Sequence, residues 1–405
     1  MIRKKREKIQ LGYIVLFLFA IRAVSDVILA FEIKIIAFVI YACVLFGAVY
    51  VLYYAKIRTN NLIYLLIPSV YMGLLIVHTY GGYSGDWLTV FTYGCCFFLM
   101  SPADKRRIFN LFYVIIQINN IFALFMYACY ILKIDIGIAT IPYYMPSPAE
   151  RYQKWGIFAI YTVGNKNRLC GIFNEPGGLG TVCALLFIAR FKYSSKWEKA
   201  LLLITIFLTF SFAGYLLIFL FFAVYLIKQN WKNIIFLSLF AIIFIEIPKI
   251  DWKNDMLNIT AQRFAITEDG LSGDNRTSVK YDKYYKEFLH TKNAWFGYGA
   301  NYDFPGDEAS YKRYVVQFGI VGFSLLILTW GSLSVLRARG NKDCLLLILF
   351  FMMSIYQRPY CFINTYGYVL LFGGMEWILE NDKSRQITFK AGSFQNIVQK
   401  WGALK

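Results

Sequence analysis

Histidine and paired metal ligands are scarce in this sequence. Among 405 residues there are only two histidines, His78 and His290, which excludes a histidine-rich metal site. The eight cysteines lie mostly within or beside apolar runs and show no spacing typical of a zinc site. The polar segments contain no Asp-any-Asp pair, although Asp303 and Asp307-Glu308 leave a loose metal site open. We therefore predict no metal and no cofactor.

Polar sequence is also scarce, which argues against a soluble protein. Hydrophobic residues make up 58% of the chain and charged residues 16%. A soluble chain of this length would divide into domains of roughly 100–200 residues with polar surfaces, and there is hardly any sequence here from which to build them. A membrane-spanning helix needs about 20 apolar residues, and about twelve candidate runs occur. They lie near 10–31, 35–55, 61–79, 87–101, 108–132, 176–191, 198–211, 213–228, 233–248, 312–336, 344–357 and 366–380.

These runs predict an all-α fold, a polytopic membrane helix bundle of about twelve transmembrane helices in which residues 1–405 form a single membrane domain. No internal repeat, low-complexity linker or soluble domain is visible. The first run follows a basic start, and we interpret it as a signal anchor because so many apolar runs follow it. The stretch 198–228 is too long for one helix and short for two, and Ser211-Phe212-Ala213-Gly214 is a candidate tight turn within it.

The basic residues are distributed by side of the membrane. The net charge is +18, from 42 basic and 24 acidic residues, and every second connection between the apolar runs is basic. This alternation is the positive-inside signature of a protein with both termini cytoplasmic. An amphipathic tail over 381–405 is expected on the same side. The charge is therefore not interpreted as a nucleic-acid-binding surface, and no nucleic-acid partner is predicted.

Three polar segments lie on the opposite, extracytoplasmic side. The loop 133–175 is rich in proline, tyrosine and glycine, and is predicted to lie against the membrane rather than form a helix. The large loop 249–311 contains a predicted helix over about 276–290, with an aromatic face beside lysines. That face would suit lipid headgroups or a sugar chain, or would belong to a plain interfacial helix. The third segment is the short turn 357–365.

The segment 168–180 contains the best candidate for an anion site. Pro176 suits the first position of a helix, and Asn174 or Glu175 precedes it as a cap. The run 176–191 is predicted to pass from outside to inside, so its N-terminus, with the positive end of the helix dipole, opens on the outer face. Small residues that allow a ligand or a neighbouring helix to approach closely follow, namely Gly177, Gly178 and Gly180. The alternative is a well-capped helix whose glycines pack against a neighbour.

A second helix is predicted to enter the membrane from outside at 307–313. It begins at Asp307-Glu308, and acids at a helix N-terminus are favourable caps in their own right. Two helix N-termini thus share the outer boundary with several arginines, namely Arg151, Arg168, Arg263, Arg276, Arg313 and Arg358. Arginine forks bind phosphates bidentately, so a lipid-linked diphosphate matches this charge and depth. Arginines that anchor helix ends to headgroups are the alternative.

Three short stretches carry a resemblance to a known family. They are Arg168-Leu-Cys-Gly171-Ile-Phe173-Asn-Glu175-Pro176-Gly, then Arg276 followed by Trp295-Phe-Gly-Tyr-Gly299, and Ser310-Tyr311 leading to Gln317-Phe-Gly319-Ile-Val-Gly322. In this order, and with the span layout over nearly the whole chain, they resemble the bacterial O-antigen polymerase (Wzy-type) family, within the O-antigen polymerase and ligase group of GT-C-like membrane glycosyltransferases. Two positions depart from the pattern. Glu308 stands where ligase relatives carry histidine, and Ser211-Phe212 replaces a common Ser-Arg pair.

The resemblance implies a metal-independent polymerase of surface polysaccharide, such as that of lipopolysaccharide, at the outer face of the bacterial cytoplasmic (inner) membrane. A growing glycan would be transferred from undecaprenyl diphosphate onto a new lipid-linked repeat unit. Arg168 and Arg276 would hold the leaving diphosphate, and Glu175 or Glu308 would be the general base, with His290 a weaker candidate. Further diphosphate- or substrate-binding residues would be Gly171, Asn174, Gly177, Tyr311, Arg313 and Arg358.

Two other functions stay open at this point. An O-antigen ligase would join the polymer to a lipid core or a protein, and the missing histidine argues against it. A flippase or transporter of lipid-linked oligosaccharides should carry charged residues at mid-membrane, where Arg22 and Asp26 are interpreted as a structural pair four residues apart. The expected partners are the lipid-linked repeats, membrane lipid, a chain-length regulator and a flippase.

Overall fold

The described part of the protein is built mainly from helices. The computed structural model describes residues 59–77, 85–141, 152–163, 166–173, 175–232, 277–299, 310–359 and 365–383, with scattered residues of 234–271 and residues 302, 303, 305 and 306. Most of these residues are helical, and few lie in strands. The prediction of a mainly helical protein is therefore confirmed.

The helices follow the apolar runs of the sequence. They are α1 (Thr59–Leu62, Ile63–Leu65 and Leu66–Val77 in succession), α2 (Gly85–Leu99), α3 (Pro102–Ile131), α4 (Pro176–Arg190), α5 (Lys196–Leu208), α6 (Phe212–Gln229), α7 (Val279–Leu289), α8 (Tyr311–Ala338), α9 (Lys342–Gln357) and α10 (Tyr366–Tyr368 and Val369–Gly373, continuing to residue 383). The predicted runs at 10–31 and 35–55 lie outside the described residues, and the run at 233–248 is described only in part. Elsewhere each predicted run is found as a helix with similar bounds.

Two of these helices, α3 and α8, are long and apolar enough to cross a membrane by length and composition, within the part of the chain that the structure describes. Shorter apolar helices are found at Ile63–Val77, Val90–Leu99, Pro176–Arg190 and Phe212–Ile227. In α3 and α8 the charged residues lie within the first two turns or the last turn.

Polar caps set the helix starts. Ser101 accepts a hydrogen bond from the Asp104 backbone N–H at the start of α3, and Ser195 forms a capping box with Glu198 at the start of α5. Between α5 and α6 the chain turns within three residues, where Phe210 has a φ of +46° and Ser211 caps α6. The predicted tight turn is found slightly earlier than 211–214, at residues 209–211, because residues 212–214 already belong to α6, and it divides the long apolar stretch into two helices.

Helix α4 lies at the centre of the bundle. Nearly all of its residues are buried, and it packs against α5, α6, α9 and α10. A Cβ atom at Gly180 would lie 2.7 Å from Thr209 Oγ1, and one at Gly214 would lie 3.2 Å from the Gly180 carbonyl oxygen. These glycines let α4 approach α6 and the turn before it closely. Helix packing thus accounts for Gly180.

One end of the bundle gathers the basic residues of several predicted cytoplasmic connections. Arg190 is held between the rings of Tyr113 and Trp377, at 3.8 and 4.3 Å from their centroids. Ion pairs at this end join helices that are distant in sequence, namely Arg106–Glu380, Lys192–Asp343 and Arg337–Glu376. Basic residues from the connections after the predicted fourth, sixth and tenth runs therefore meet at one end of the described bundle.

The loop 133–175 folds as a small sheet at the other end. Its strands are β1 (Ala139–Ile141), β2 (Tyr152–Trp155), β3 (Phe158–Val163) and β4 (Lys166–Gly171), antiparallel in the order β1-β2-β3-β4. The absence of a helix in this loop was predicted, but the strands were not, so the all-α prediction is corrected here. The sheet docks on α3 through Trp155, whose ring lies 5.6 Å from that of Phe125. Two further strands of two residues each, β5 (Ile266–Thr267) and β6 (Gly270–Leu271), pair antiparallel in the large loop.

Candidate functional site

The site is built around the start of α4. Pro176 occupies the first helical position, and Glu175 precedes it with extended backbone. The Glu175 side chain makes no capping bond to the helix. Instead, its Oε2 accepts a hydrogen bond of 2.9 Å from Arg358 Nη1. The carboxylate is thus paired with a guanidinium 183 residues away in sequence.

Arg358 lies directly over the first turn of α4. It follows the C-terminus of α9 and is only 5% exposed. A Cβ atom at Gly177 would overlap Arg358 Nη2, so only glycine leaves room for the guanidinium at this position. The sequence predicted that something would approach these glycines closely, and at Gly177 the approaching group is Arg358. A buried cation therefore sits where the helix dipole is positive, and Glu175 offsets the repulsion.

Arg168 reaches the same region from β4. Its Nε donates to the Thr209 carbonyl and its Nη2 to the Phe210 carbonyl, both at 3.0 Å. These carbonyls belong to the α5–α6 turn that packs against Gly180. Arg168 and Arg358 thus lie beside the first two turns of α4. Different groups hold them in place: backbone carbonyls hold Arg168, and the Glu175 carboxylate holds Arg358. Arg168 binds the turn through backbone carbonyls, which is a structural role alongside the predicted one.

Gly171 makes room for a buried amide of α3. Its φ is +61°, and a Cβ atom there would lie 2.5 Å from Asn119 Oδ1. That oxygen accepts a 2.9 Å hydrogen bond from the Ile172 backbone N–H, and Asn119 Nδ2 donates to Asn120 Oδ1 at 3.1 Å. Asn119, supported by Asn120, therefore anchors to α3 the junction between β4, which carries Arg168, and the segment that leads into α4. Sequence reasoning missed them, although an Asn-Asn pair inside the apolar run 108–132 was the available signal.

The start of α8 adds an aromatic and ionic layer. The Tyr311 ring stacks on that of Tyr356 with centroids 5.1 Å apart, and Tyr356 lies two residues before Arg358. Ser310 caps the helix by accepting from the Lys312 backbone N–H. The Lys312 ammonium pairs with Asp282 of α7 at 2.7 Å. Tyr311 is therefore tied to the segment that positions Arg358, whereas Arg313 is exposed in the next turn.

The Asp282–Lys312 pair predicts a pH dependence. Burial acts to raise the pKa of Asp282, but hydrogen bonds from Lys312 and Thr277 lower it below its ordinary value. A carboxylate with a lowered folded-state pKa stabilises the protein above its unfolded pKa, and this contribution is lost as pH falls through the folded pKa. We expect Asp282→Asn to lower the unfolding temperature at pH 7, and to lower it less near pH 2, because the contribution of the carboxylate shrinks progressively as pH falls below the unfolded value of about 3.9. Differential scanning fluorimetry measures both, with Asp303→Asn, at an exposed position, as the control. Equal losses at the two pH values would contradict the assignment.

Several predicted site residues lie outside the described residues. These are Arg276, Asn174 and Glu308, together with Arg151 and Arg263. Their roles stay predictions. His290, the weaker candidate for the base, is exposed and caps the C-terminus of α7. The predicted residues that the structure brings together are Arg168, Gly171, Glu175, Gly177 and Arg358, with Tyr311 joined through Tyr356.

Chemically, this arrangement is suited to binding an anion. A helix N-terminus and two guanidinium groups are held rigidly, with one partly exposed carboxylate among them. Comparison with known proteins gives no match to any family model, curated protein or solved structure.

Proposed function

We propose that the protein is a polytopic membrane glycosyltransferase that polymerises a bacterial surface polysaccharide. It transfers a growing glycan from undecaprenyl diphosphate onto a new lipid-linked repeat unit at the outer face of the cytoplasmic membrane. The observation that carries this proposal is Arg358, buried over the first turn of α4 and fixed by Glu175. The resemblance in the stretches that contain Arg168, Gly299 and Gly319 supports it.

The proposed membrane architecture has about twelve spans with both termini cytoplasmic. Support comes from the meeting of Arg106, Arg190 and Arg337 at one end of the described bundle. The start of α4 lies at the opposite end, which in this topology faces outward. That end also carries the sheet β1–β4 and the aromatic contacts of Tyr311.

The proposed mechanism depends on charge that develops on the departing diphosphate. As the anomeric C–O bond breaks, the electron pair stays on the diphosphate oxygen, so cations fixed there stabilise the transition state more than the ground state. Arg358 and the N-terminus of α4 supply positive charge without reorganisation. Arg168 adds a second cation and holds the α5–α6 turn in place. An acceptor hydroxyl attacks the anomeric carbon and gives its proton to a carboxylate.

Glu175 and Glu308 are the two candidates for that base, and substitutions of Glu175 separate its two roles. Glu175→Gln keeps an oxygen that accepts from Arg358 but removes the basic carboxylate, whereas Glu175→Ala removes both. If Glu175 only positions Arg358, we expect the glutamine variant to keep most polymerase activity and the alanine variant to lose about 10²-fold or more. If Glu175 is the base, both variants lose activity. The pH–rate profile of the glutamine variant is the second readout, because loss of the base removes the acidic limb.

The function itself is tested by reconstitution. Purified protein in lipid vesicles is mixed with undecaprenyl-diphosphate-linked repeat units extracted from cells in which the gene is deleted. A ladder of longer lipid-linked products supports the proposal, and unchanged single repeats contradict it. We expect the same ladder in excess chelator. If the ladder disappears in chelator and added magnesium or manganese restores it, the prediction of metal independence is wrong.

The deletion strain distinguishes the alternatives. A single repeat per acceptor on the cell surface indicates a polymerase, unattached full-length polymer indicates a ligase, and material retained inside indicates a flippase. The position of the described charges argues against the flippase, because the arginines of the pairs Arg337–Glu376 and Arg358–Glu175 lie at the C-terminal ends of α8 and α9.

A further inference from the structure

Helix α8 is broken inside its apolar run. Gly319 has a φ of +72° and a ψ of 173°, which are not helical. The break leaves backbone groups without helical partners, and a turn of the large loop satisfies them. The Tyr298 and Gly299 N–H groups donate to the carbonyls of Val316 and Gln317, each at 2.9 Å. The Val321 N–H donates to the Trp295 carbonyl at 3.1 Å.

The turn 295–299 and the break fit each other closely. Gly297 has a φ of +78°, and a Cβ atom there would overlap the Gln317 carbonyl oxygen. A Cβ atom at Gly319 would overlap the Trp295 carbonyl oxygen. The backbone of the turn is therefore in direct contact with the backbone of α8 at both glycines. The turn replaces the helical hydrogen bonds that Gly319 removes.

The exposed surface of α8 changes at this break. From 311 to 319 the only exposed residue is Arg313, whereas the helix after the break exposes apolar side chains that begin at Ile320 and Val321. The segment 320–338 is helical throughout, with a length of about 28 Å at 1.5 Å per residue. That length matches the apolar thickness of a bilayer, about 30 Å. The break thus lies where a spanning helix would leave the lipid.

The tip of the turn carries two large apolar side chains at the same level. Trp295 is 59% exposed and Phe296 is 67% exposed, although the neighbouring Ala294 is buried. The other side of the turn packs with α7 in a cluster that contains Tyr281, Phe288, Val315 and Val316. The aromatic face of α7 is therefore partly buried against α8. Among the described aromatic residues of this region, those of the turn are the most exposed, ahead of Tyr356 at 51% and Tyr302 at 36%.

We propose that Trp295 and Phe296 insert into the outer interface of the lipid bilayer and that Gly319 marks the outer boundary of the hydrocarbon. Tryptophan favours the headgroup level, where its ring is buried and its N–H is solvated. Irregular backbone at the edge of the lipid is tolerated because the turn pairs its polar groups. The occupant of this surface is phospholipid of the outer leaflet. The turn fixes the depth of the large loop, and so keeps Tyr311 and Arg313 at the level of lipid phosphates.

This inference rests on the membrane insertion that is part of the proposed function, but not on any sugar chemistry. Its test uses nitroxide labels on Phe296→Cys, Leu328→Cys and Lys292→Cys in vesicles of phosphatidylethanolamine and phosphatidylglycerol. Trp295→Cys is a second reporter for the tip. Unsubstituted protein taken through the same labelling gives the background from the eight native cysteines. Power-saturation measurements then compare how often each nitroxide collides with oxygen, which concentrates in lipid, and with a nickel chelate, which stays in water.

We expect the label at position 328 to collide mainly with oxygen and the label at position 292 mainly with the nickel chelate. The labels at the two tip positions should be intermediate. If the tip positions match Lys292 while Leu328 is in lipid, the inference fails and the spanning helix stands. If the tip is shielded from both reagents, a protein partner covers it and the inference also fails. If Leu328 itself favours nickel, α8 does not span the membrane, and the membrane part of the proposed function fails with it.

Discussion

Replacement of Arg358 with alanine is expected to reduce the rate of glycan polymerisation by about 10²–10³-fold, the effect of removing one preorganised donor from a developing oxyanion. The guanidinium is buried over the first turn of α4, where its Nη1 is bound by Glu175 and its position is fixed by contact with Gly177. Its charge needs no reorganisation when the diphosphate departs. The effect should therefore appear in kcat more than in KM.

Two further variants make the Arg358 result interpretable. Arg358→Lys keeps the charge but loses the planar fork, so an intermediate rate is expected if geometry contributes beyond charge. Arg107→Ala removes a partly exposed arginine at the opposite end of the bundle and should leave the rate unchanged. Rates are measured in vesicles, and folding is checked by gel filtration and unfolding temperature in detergent. A folded alanine variant that polymerises at the normal rate would exclude Arg358 from the diphosphate site.

The helices and the candidate anion site could be predicted from the sequence to different extents. The helices depend on apolar runs and on local caps such as Ser101 and Ser195, so their bounds are visible in the chain itself. The Gly-rich start of α4 also predicted a close approach. The identity of the approaching group was not visible, because Arg358 meets Glu175 across 183 residues. Nothing in the local sequence pairs these two charges.

The sheet and the break in α8 were missed for a related reason. Strands β1–β4 have three to six residues each, and their proline-, tyrosine- and glycine-rich surroundings are typical of loops. At Gly319 the apolar pattern continues without interruption, so the run 312–336 predicted one straight helix. Both Gly319 and the Trp295–Gly299 turn belong to the stretches that carry the family resemblance. Their contact is tertiary and appears only when the backbone hydrogen bonds are known.

The second large effect is expected from a single methyl group at Gly177. In Gly177→Ala the new Cβ atom overlaps Arg358 Nη2, so the guanidinium has to leave the first turn of α4 or the helix has to shift. Overpacking of this kind costs about 1–3 kcal/mol of stability. Because the displaced group is the proposed diphosphate ligand, we expect polymerisation to fall to nearly the level of Arg358→Ala. Activity would thus be lost without removal of any functional group.

Gly178→Ala is the matched control for this prediction. It adds the same methyl group one residue further along α4, where the nearest atom is a Phe173 ring carbon at an ordinary 3.4 Å. Helix propensity favours alanine there by up to about 1 kcal/mol, so this variant should be as stable as the natural protein and fully active. Combining Gly177→Ala with Arg358→Ala removes the overlap, so the double variant should regain stability without regaining activity. Equal activity of Gly177→Ala and Gly178→Ala would show that polymerisation does not depend on the position of Arg358 over the helix. Recovery of activity in the double variant would show that the methyl group had acted only through strain.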